Sequence, residues 1–342
     1  MHMADALISP AVGGALWAAS AGLIGYCSKK LRQDQDDRKI PLMGVIGAFI
    51  FAAQMINFTI PATGSSGHLG GGMILAILLG PHAAFLTMAS VLTVQALFFA
   101  DGGLLALGCN IFNLGFFPCF ICYPLIYKLF VRGKASSGAI ITGALVSAIL
   151  GLQMGAFSVV LETFFSGISE LPFAVFVALM LPIHLAIGLV EGITTAAVIL
   201  FVWKSRPEIM MASPEPGRGY SIGKVLAGFA AAAVIVGGAL SWFASSHPDG
   251  LEWAMFRTAG VEKFAAPEKG IHSSLSAIQE KTAFLPDYGF KTTESHPGEE
   301  TAGAWPAVNP GTSVSGLVGG LLTLCLAVFI GFVIKRRKAA RT

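Results

Sequence analysis

Eight apolar runs, at about 11–27, 41–60, 69–99, 103–130, 138–165, 172–203, 224–244 and 314–334, alternate with short polar stretches. A membrane-spanning helix takes about 17–25 apolar residues, so the pattern predicts a chain of transmembrane helices. The polar stretches sort by charge. Segments 28–40, 128–134, 204–224 and 335–342 carry five, three, four and five Lys or Arg residues, and the positive-inside rule makes all four cytoplasmic. An even number of crossings must then separate the first two, yet three runs lie between them. One run is therefore double. Run 69–99 is broken at Gly80-Pro81, where proline interrupts helical hydrogen bonding, which predicts spans at about 69–79 and 82–99. The first is short for a bilayer unless the membrane thins or water enters beside it; a re-entrant loop is the alternative.

The pattern predicts nine crossings, with the N-terminus outside and the C-terminus in the cytoplasm. Seven form a core over 1–203. A linker over 204–223, with Pro207, Pro214, Pro216, Gly217 and Gly219, leads to a two-helix module over 224–342. That module encloses an external segment, 245–313, with nine acids against five bases. No Lys or Arg precedes run 11–27 and three follow it closely, which predicts a retained helix rather than a cleaved leader.

Composition sharpens this picture. The chain of 342 residues is 54% hydrophobic and 12% charged, against about 25% charged in soluble domains. The expected fold is an all-α polytopic membrane protein in a lipid bilayer. Basic residues form short clusters beside apolar runs, so a nucleic-acid partner is not expected. All five cysteines lie in or at the ends of apolar segments, which excludes a secreted disulfide framework. No phosphate-binding G-x-x-x-x-G-K-[ST] loop occurs, so any ATP hydrolysis must come from another chain.

The first two residues carry the most chemistry. On the predicted topology Met1 and His2 lie outside. The Met1 amine, the His2 amide nitrogen and His2 Nδ1 can close a five-membered and then a six-membered chelate ring. Three nitrogens in one plane suit Ni(II) or Cu(II) rather than tetrahedral Zn(II) or the oxygen-seeking Mg(II) and Ca(II). His68, in the glycine-rich stretch Thr63-Gly64-Ser65-Ser66-Gly67-His68-Leu69-Gly70-Gly71-Gly72, falls on the same side and can supply a fourth nitrogen. A terminal Met-His also arises by chance, and a loop histidine commonly has no such role.

Met1-His2-Met3-Ala4-Asp5-Ala6-Leu7-Ile8-Ser9-Pro10, Ser66-Gly67-His68, Phe99-Ala100-Asp101-Gly102-Gly103 and Gly108-Cys109-Asn110-Ile111-Phe112-Asn113 resemble the NikM/CbiM family. These are substrate-binding (S) components of nickel and cobalt energy-coupling-factor transporters, and the resemblance covers about 1–203. Pro248-Asp249-Gly250-Leu251-Glu252 resembles the NikN/CbiN-type partner, a two-helix protein with an external loop, over about 220–334. The chain resembles a fusion of both. The resemblance implies a square-planar site made by the Met1 amine, the His2 amide and imidazole nitrogens and His68. It also implies a transmembrane coupling (T) subunit, two ATP-binding cassette ATPase subunits, and a bacterial or archaeal cell membrane. The ion, nickel or cobalt, is substrate; no resident cofactor and no enzymatic activity are expected. A plane of four nitrogens favours nickel. The sequence departs from the family at Met3-Ala4, in place of Ile-Pro, and at His82, in place of an aromatic; His82 reads as a polar turn residue on the far side.

Other residues carry two readings each. Asp5 either orients His2 and the amine or is an ordinary acid near a helix start. Asn110 and Asn113 share a helix face and either support the binding loop or join helices. His184 and Glu191 share a face of span 172–203, with a structural or a transport role. Gly44, Ala48 and Ala52 form a stripe of small residues, for docking to the T subunit or packing within the bundle. Cys119 and Cys122, between two prolines, read as packing residues. Two rival functions remain: a gradient-driven metal channel or secondary transporter, and a membrane thiol redox enzyme built on those cysteines.

Overall fold

A computed structural model of the chain describes residues 2–339 apart from 35, 37, 133–135, 206–221, 268 and 292–304. Met1 and nearly all of the expected linker lie outside the described residues.

Helices account for nearly every element. They are α1 (Pro10–Gln33), α2 (Lys39–Gln54), α3 (Gly72–Leu79) and α4 (Pro81–Phe99). Then follow α5 (Leu107–Phe130), α6 (Ser137–Ser166), α7 (Phe173–Ser205), α8 (Ile222–Gly238), α9 (Gly250–Ala259), α10 (Ile271–Thr282) and α11 (Pro310–Ala339). Six of these (α1, α4, α5, α6, α7 and α11) are long and apolar enough to cross a membrane, and α2 and α8 are shorter apolar helices. The protein is an all-α membrane bundle. Local chemistry sets the ends. Ser9 caps α1 by accepting from Val12 N, with Pro10 in the first turn, where its missing N–H costs nothing. Ser136 caps α6 in the same way. Within α5 the stretch Phe112–Tyr127 widens to a π-helix around Pro118 and Pro124, neither of which can donate to an α-helical ladder.

Run 69–99 is broken at the expected place. α3 ends at Gly80, whose φ of +76° breaks the helix before Pro81 starts α4. The turn Gly80-Pro81-His82 lines a small cavity with Lys30, Asp34 and Lys39. His82 thus sits at the basic end of the bundle, far from His2. With eight residues, α3 rises only about 12 Å, and the rest of that passage is the extended chain before it. Non-helical backbone at such depth is tolerated only where protein surrounds it. Every residue of α3 is buried, and the carbonyl and N–H of Gly70 are bonded by Gln54 and Glu191.

Between α2 and α3 the chain forms a small hairpin, β1 (Phe58–Ile60) and β2 (Ser65–Gly67), pairing Phe58 with Gly67 and Ile60 with Ser65. Residues 245–291 lie over this end. Ser66 N donates to Pro248 O at 2.8 Å, Ser245 N to Asn57 O at 2.7 Å and Trp253 Nε1 to Thr63 O at 3.0 Å. Farther along, Gln279 Nε2 donates to both Ala96 O and Gly102 O at 2.8 Å.

The small-residue stripe on α2 packs inside the chain. A Cβ on Gly44 would meet Val328 and Leu324 of α11, and Gly320 of α11 lies against Ala48. α8 and α11 also cross closely, because a Cβ on Gly316 would collide with the backbone of Gly237. Gly316→Ala is therefore expected to destabilise the protein by about 1–3 kcal/mol, seen as a lower melting temperature in detergent. Gly228→Ala on α8, where nothing lies within 4 Å, should leave it unchanged.

Candidate metal-capture site

The approach to the site is fixed at Met3. Its N–H donates to Asn110 Oδ1 at 2.8 Å, and its carbonyl accepts from Asn110 Nδ2 at 3.2 Å and Gly103 N at 2.9 Å. One asparagine thus satisfies both backbone groups of the residue after His2, which pins the N-terminal strand. Asp5 accepts from Ala106 N at 2.9 Å and steadies the turn into α5. A Cβ on Gly103 would strike the Asp5 carboxyl, so the Gly102-Gly103 pair is what lets the two segments meet.

The same threading brings His2 against His68. Their rings stack with centroids 5.0 Å apart and planes 13° apart; the side chains are 6% and 9% exposed. Burial pushes each imidazole from 6.5 down to about 3, so both are neutral and hold a lone pair, the form a metal requires. His68 Nδ1 lies 3.1 Å from Leu69 O. A carbonyl only accepts, so Nδ1 carries the proton and Nε2 the lone pair. Stacked rings direct their in-plane lone pairs into two parallel planes. One ring must tilt before both can meet a single ion.

Two carboxylates flank the pair. Asp101 Oδ1 is 3.3 Å from His2 Nδ1, and its Oδ2 accepts from the Tyr288 hydroxyl; burial pushes this carboxyl above its usual range. Asp249 divides its oxygens. Oδ1 caps α9 by accepting from Leu251 N and Glu252 N at 2.8 and 2.9 Å, while Oδ2 stands 4.0 Å from His68 Nε2. Sequence reading missed both as site residues, although both stood inside quoted motifs. The signal was a carboxylate flanked by small residues at Asp101. Asp249 stood in the Pro248-Asp249-Gly250-Leu251-Glu252 stretch; it forms a capping box with Glu252 through one oxygen, which leaves the other facing His68.

A cavity of about 450 Å³ opens above the rings, lined by Asp101, Asp249, Glu252, Glu262 and Asp287 against one base, Lys263. Other expected residues lie elsewhere. Asn113 donates to Glu162 Oε2 at 2.9 Å, joining α5 to α6. His184 and Glu191 are both buried on α7 but have separate partners: His184 Nδ1 donates to Met180 O, and Glu191 accepts from Gly70 and Gly71. Cys119 and Cys122 are buried free thiols.

Among the described residues no three His, Cys, Asp or Glu side chains are grouped to hold an ion. The side chains that meet here are the two imidazoles, with Asp101 beside His2 and Asp249 beside His68.

The fold is thus an all-α membrane bundle with two buried imidazoles stacked at one end. Residues 2–209 match the family described as the cobalt uptake substrate-specific transmembrane region, and residues 223–336 match the PDGLE domain. The chain belongs to that cobalt uptake (CbiM) family, with a PDGLE domain following. It is 29% identical over 309 residues to the fused nickel transport protein NikMN of Rhodobacter capsulatus, covering 84% of this chain and 88% of that one. It is 30% identical to the cobalt transport protein CbiM of Sorangium cellulosum, over 61% of this chain and 94% of that one. A crystal structure of a truncated transition metal transporter matches with a TM-score of 0.53 and 29% identity, covering 60% of this chain and 99% of that one. The protein is a nickel or cobalt transport component and not an enzyme.

Proposed function

We propose that this chain captures Ni(II) in a plane of four nitrogens: the Met1 amine, the His2 amide nitrogen, His2 Nδ1 and His68 Nε2. The observation that supports this reading most is the buried, neutral His2–His68 pair, with the His68 proton tied to Leu69 O. Four nitrogens in a plane favour nickel, and the same donors accept cobalt less well. On this reading the His2 end faces outside and the Lys30 end faces the cytoplasm of a bacterial or archaeal cell, as the distribution of Lys and Arg requires. A T subunit and two ATPase subunits drive import, since the chain has no phosphate-binding loop of its own.

Titrating the purified full chain with nickel(II) sulfate tests the coordination. One equivalent of diamagnetic, four-coordinate nickel with the visible absorption of a planar complex is the expected result; a paramagnetic six-coordinate ion overturns it. In vesicles containing this chain alone, nickel should bind but not accumulate. Accumulation without ATPase partners would establish a gradient-driven carrier instead.

A further inference from the structure

The His68 ring is steered from the middle of α7 through one peptide plane. His68 Nδ1 donates to Leu69 O at 3.1 Å. That carbonyl belongs to the same peptide unit as Gly70 N, and Gly70 N donates to Glu191 Oε2 at 2.8 Å. A peptide unit is planar and stiff, so the carboxylate on one edge sets where the carbonyl on the other edge points. Gly71 N donates to the second oxygen, Glu191 Oε1, at 3.1 Å. Two adjacent N–H groups thus grip both oxygens of one side chain, which fixes the plane against rotation. Behind it, Gly70 O accepts from Gln54 Nε2 at 2.8 Å, and Gln54 Oε1 accepts from Gln95 Nε2 at 2.8 Å.

The backbone is shaped for this approach. A Cβ on Gly70 would lie 3.0 Å from Glu191 Oε2, and one on Gly67 would collide with Ile187, one turn back along α7. α7 therefore touches the chain on both sides of His68. Glu191 is buried, and an ionisable side chain inside a membrane bundle is costly; an apolar residue would serve for packing. What a carboxylate alone supplies is two acceptors for two neighbouring donors, in bonds that charge strengthens. A bond at the N–H edge also polarises the peptide and makes Leu69 O a better acceptor for the imidazole. The ring proton is thereby kept on Nδ1 and the lone pair on Nε2.

We propose that Glu191 is a positioning residue that sets the direction and tautomer of His68 for capture of a divalent nickel-like ion. Asn110 on α5 holds the other half of the site, because it pins Met3 beside His2. The two imidazoles are thus carried by different helices. Glu191 is not a ligand. The inference rests on His68 being one, as in the function proposed above.

The test uses the full chain in lipid nanodiscs, with the affinity for nickel(II) sulfate read by competition against a chelator. Each substitution is made in the native chain and in a chain with one extra residue between Met1 and His2. In the longer chain the amine, two amide nitrogens and the histidine Nδ1 fill the plane, so His68 is not needed. Glu191→Gln keeps the shape but turns a donor against one glycine N–H. It should weaken binding in the native chain by about 10–100-fold, the usual cost of losing an outer partner of a metal-bound histidine. In the longer chain it should change nothing. Ile187→Ala loosens the support at Gly67 and keeps every polar bond; it should follow the same pattern with a smaller loss, and it carries the test if Glu191→Gln does not fold. Glu162→Gln alters another buried carboxylate, bonded to Asn113 and Ser158, and should leave both chains unchanged. Wild-type affinity of Glu191→Gln in the native chain overturns the proposal. So does equal weakening in both chains, or a matching loss in Glu162→Gln, each of which would mark a general loosening of the bundle. His68→Ala separates the two failures. If it costs the native chain nothing, the proposed function has failed; if it weakens binding and Glu191→Gln does not, this inference alone has failed.

Discussion

His68→Ala is expected to weaken nickel binding by more than the about 10–100-fold that loss of an outer partner costs, because it removes one of four donors. In a chain with one extra residue between Met1 and His2, the same substitution should cost nothing. The reason is a count of nitrogens. With histidine second, the amine, one amide nitrogen and Nδ1 make three donors, and the plane needs an imidazole from elsewhere. With histidine third, the amine, two amide nitrogens and Nδ1 complete the plane unaided. His68 dependence in the native chain and independence in the extended one would together be hard to obtain from any other donor set. Equal dependence in both, measured by competition against a chelator, would reject the coordination proposed. Mass spectrometry of the mature terminus must show an unformylated Met1, since a blocked amine removes the first donor in either chain.

Neutralising the chamber above the site is expected to slow loading without changing the ligands. Glu252→Gln, Glu262→Gln and Asp287→Asn together remove three negative charges from a cavity whose lining holds five acids and one base. Clefts lined by one sign of charge raise association rates by about 10–10³-fold, with steep salt dependence. Stopped-flow nickel loading at low ionic strength should fall by about tenfold or more in the triple variant and lose most of its salt dependence. The dissociation rate should stay close to wild type, since none of the three supplies a nitrogen. A faster dissociation with unchanged association would show that these acids hold the roof rather than attract the ion. Asp249 is left intact because it also caps α9.

Much of the bundle was legible in the sequence because two rules act over its whole length. Apolar runs report on lipid, and Lys and Arg report on sidedness. Together they required a double passage in run 69–99, and the Gly80-Pro81 break is where the structure turns. The same parity put His2 and His68 on one side, and the structure stacks their rings. What stayed hidden was contact between segments distant in sequence. Asn110 holds Met3 across 107 residues, whereas spacing alone could only put Asn110 on a face with Asn113, which serves Glu162 instead. Gln54 and Gln95 stood in apolar runs as isolated polar residues, and only their approach across two helices reveals the chain they form. The roof was harder still. Segment 245–313 is acidic, and the sequence does not say that Tyr288 bonds Asp101 or that Asp249 faces His68. The stripe Gly44-Ala48-Ala52 showed that α2 has a close neighbour, and the structure identifies it as α11 of the same chain.

That last contact has a bearing on how the protein is made. Two membrane proteins that must pair side by side depend on how much of each is synthesised and on how often they collide in the bilayer. Here the glycine-lined seam on α2 is filled by a helix of the same polypeptide, so the encounter is intramolecular and its effective concentration is set by the connecting chain. Ribosomes therefore deliver the roof and the site in a fixed one-to-one ratio, and dilution in the membrane cannot separate them.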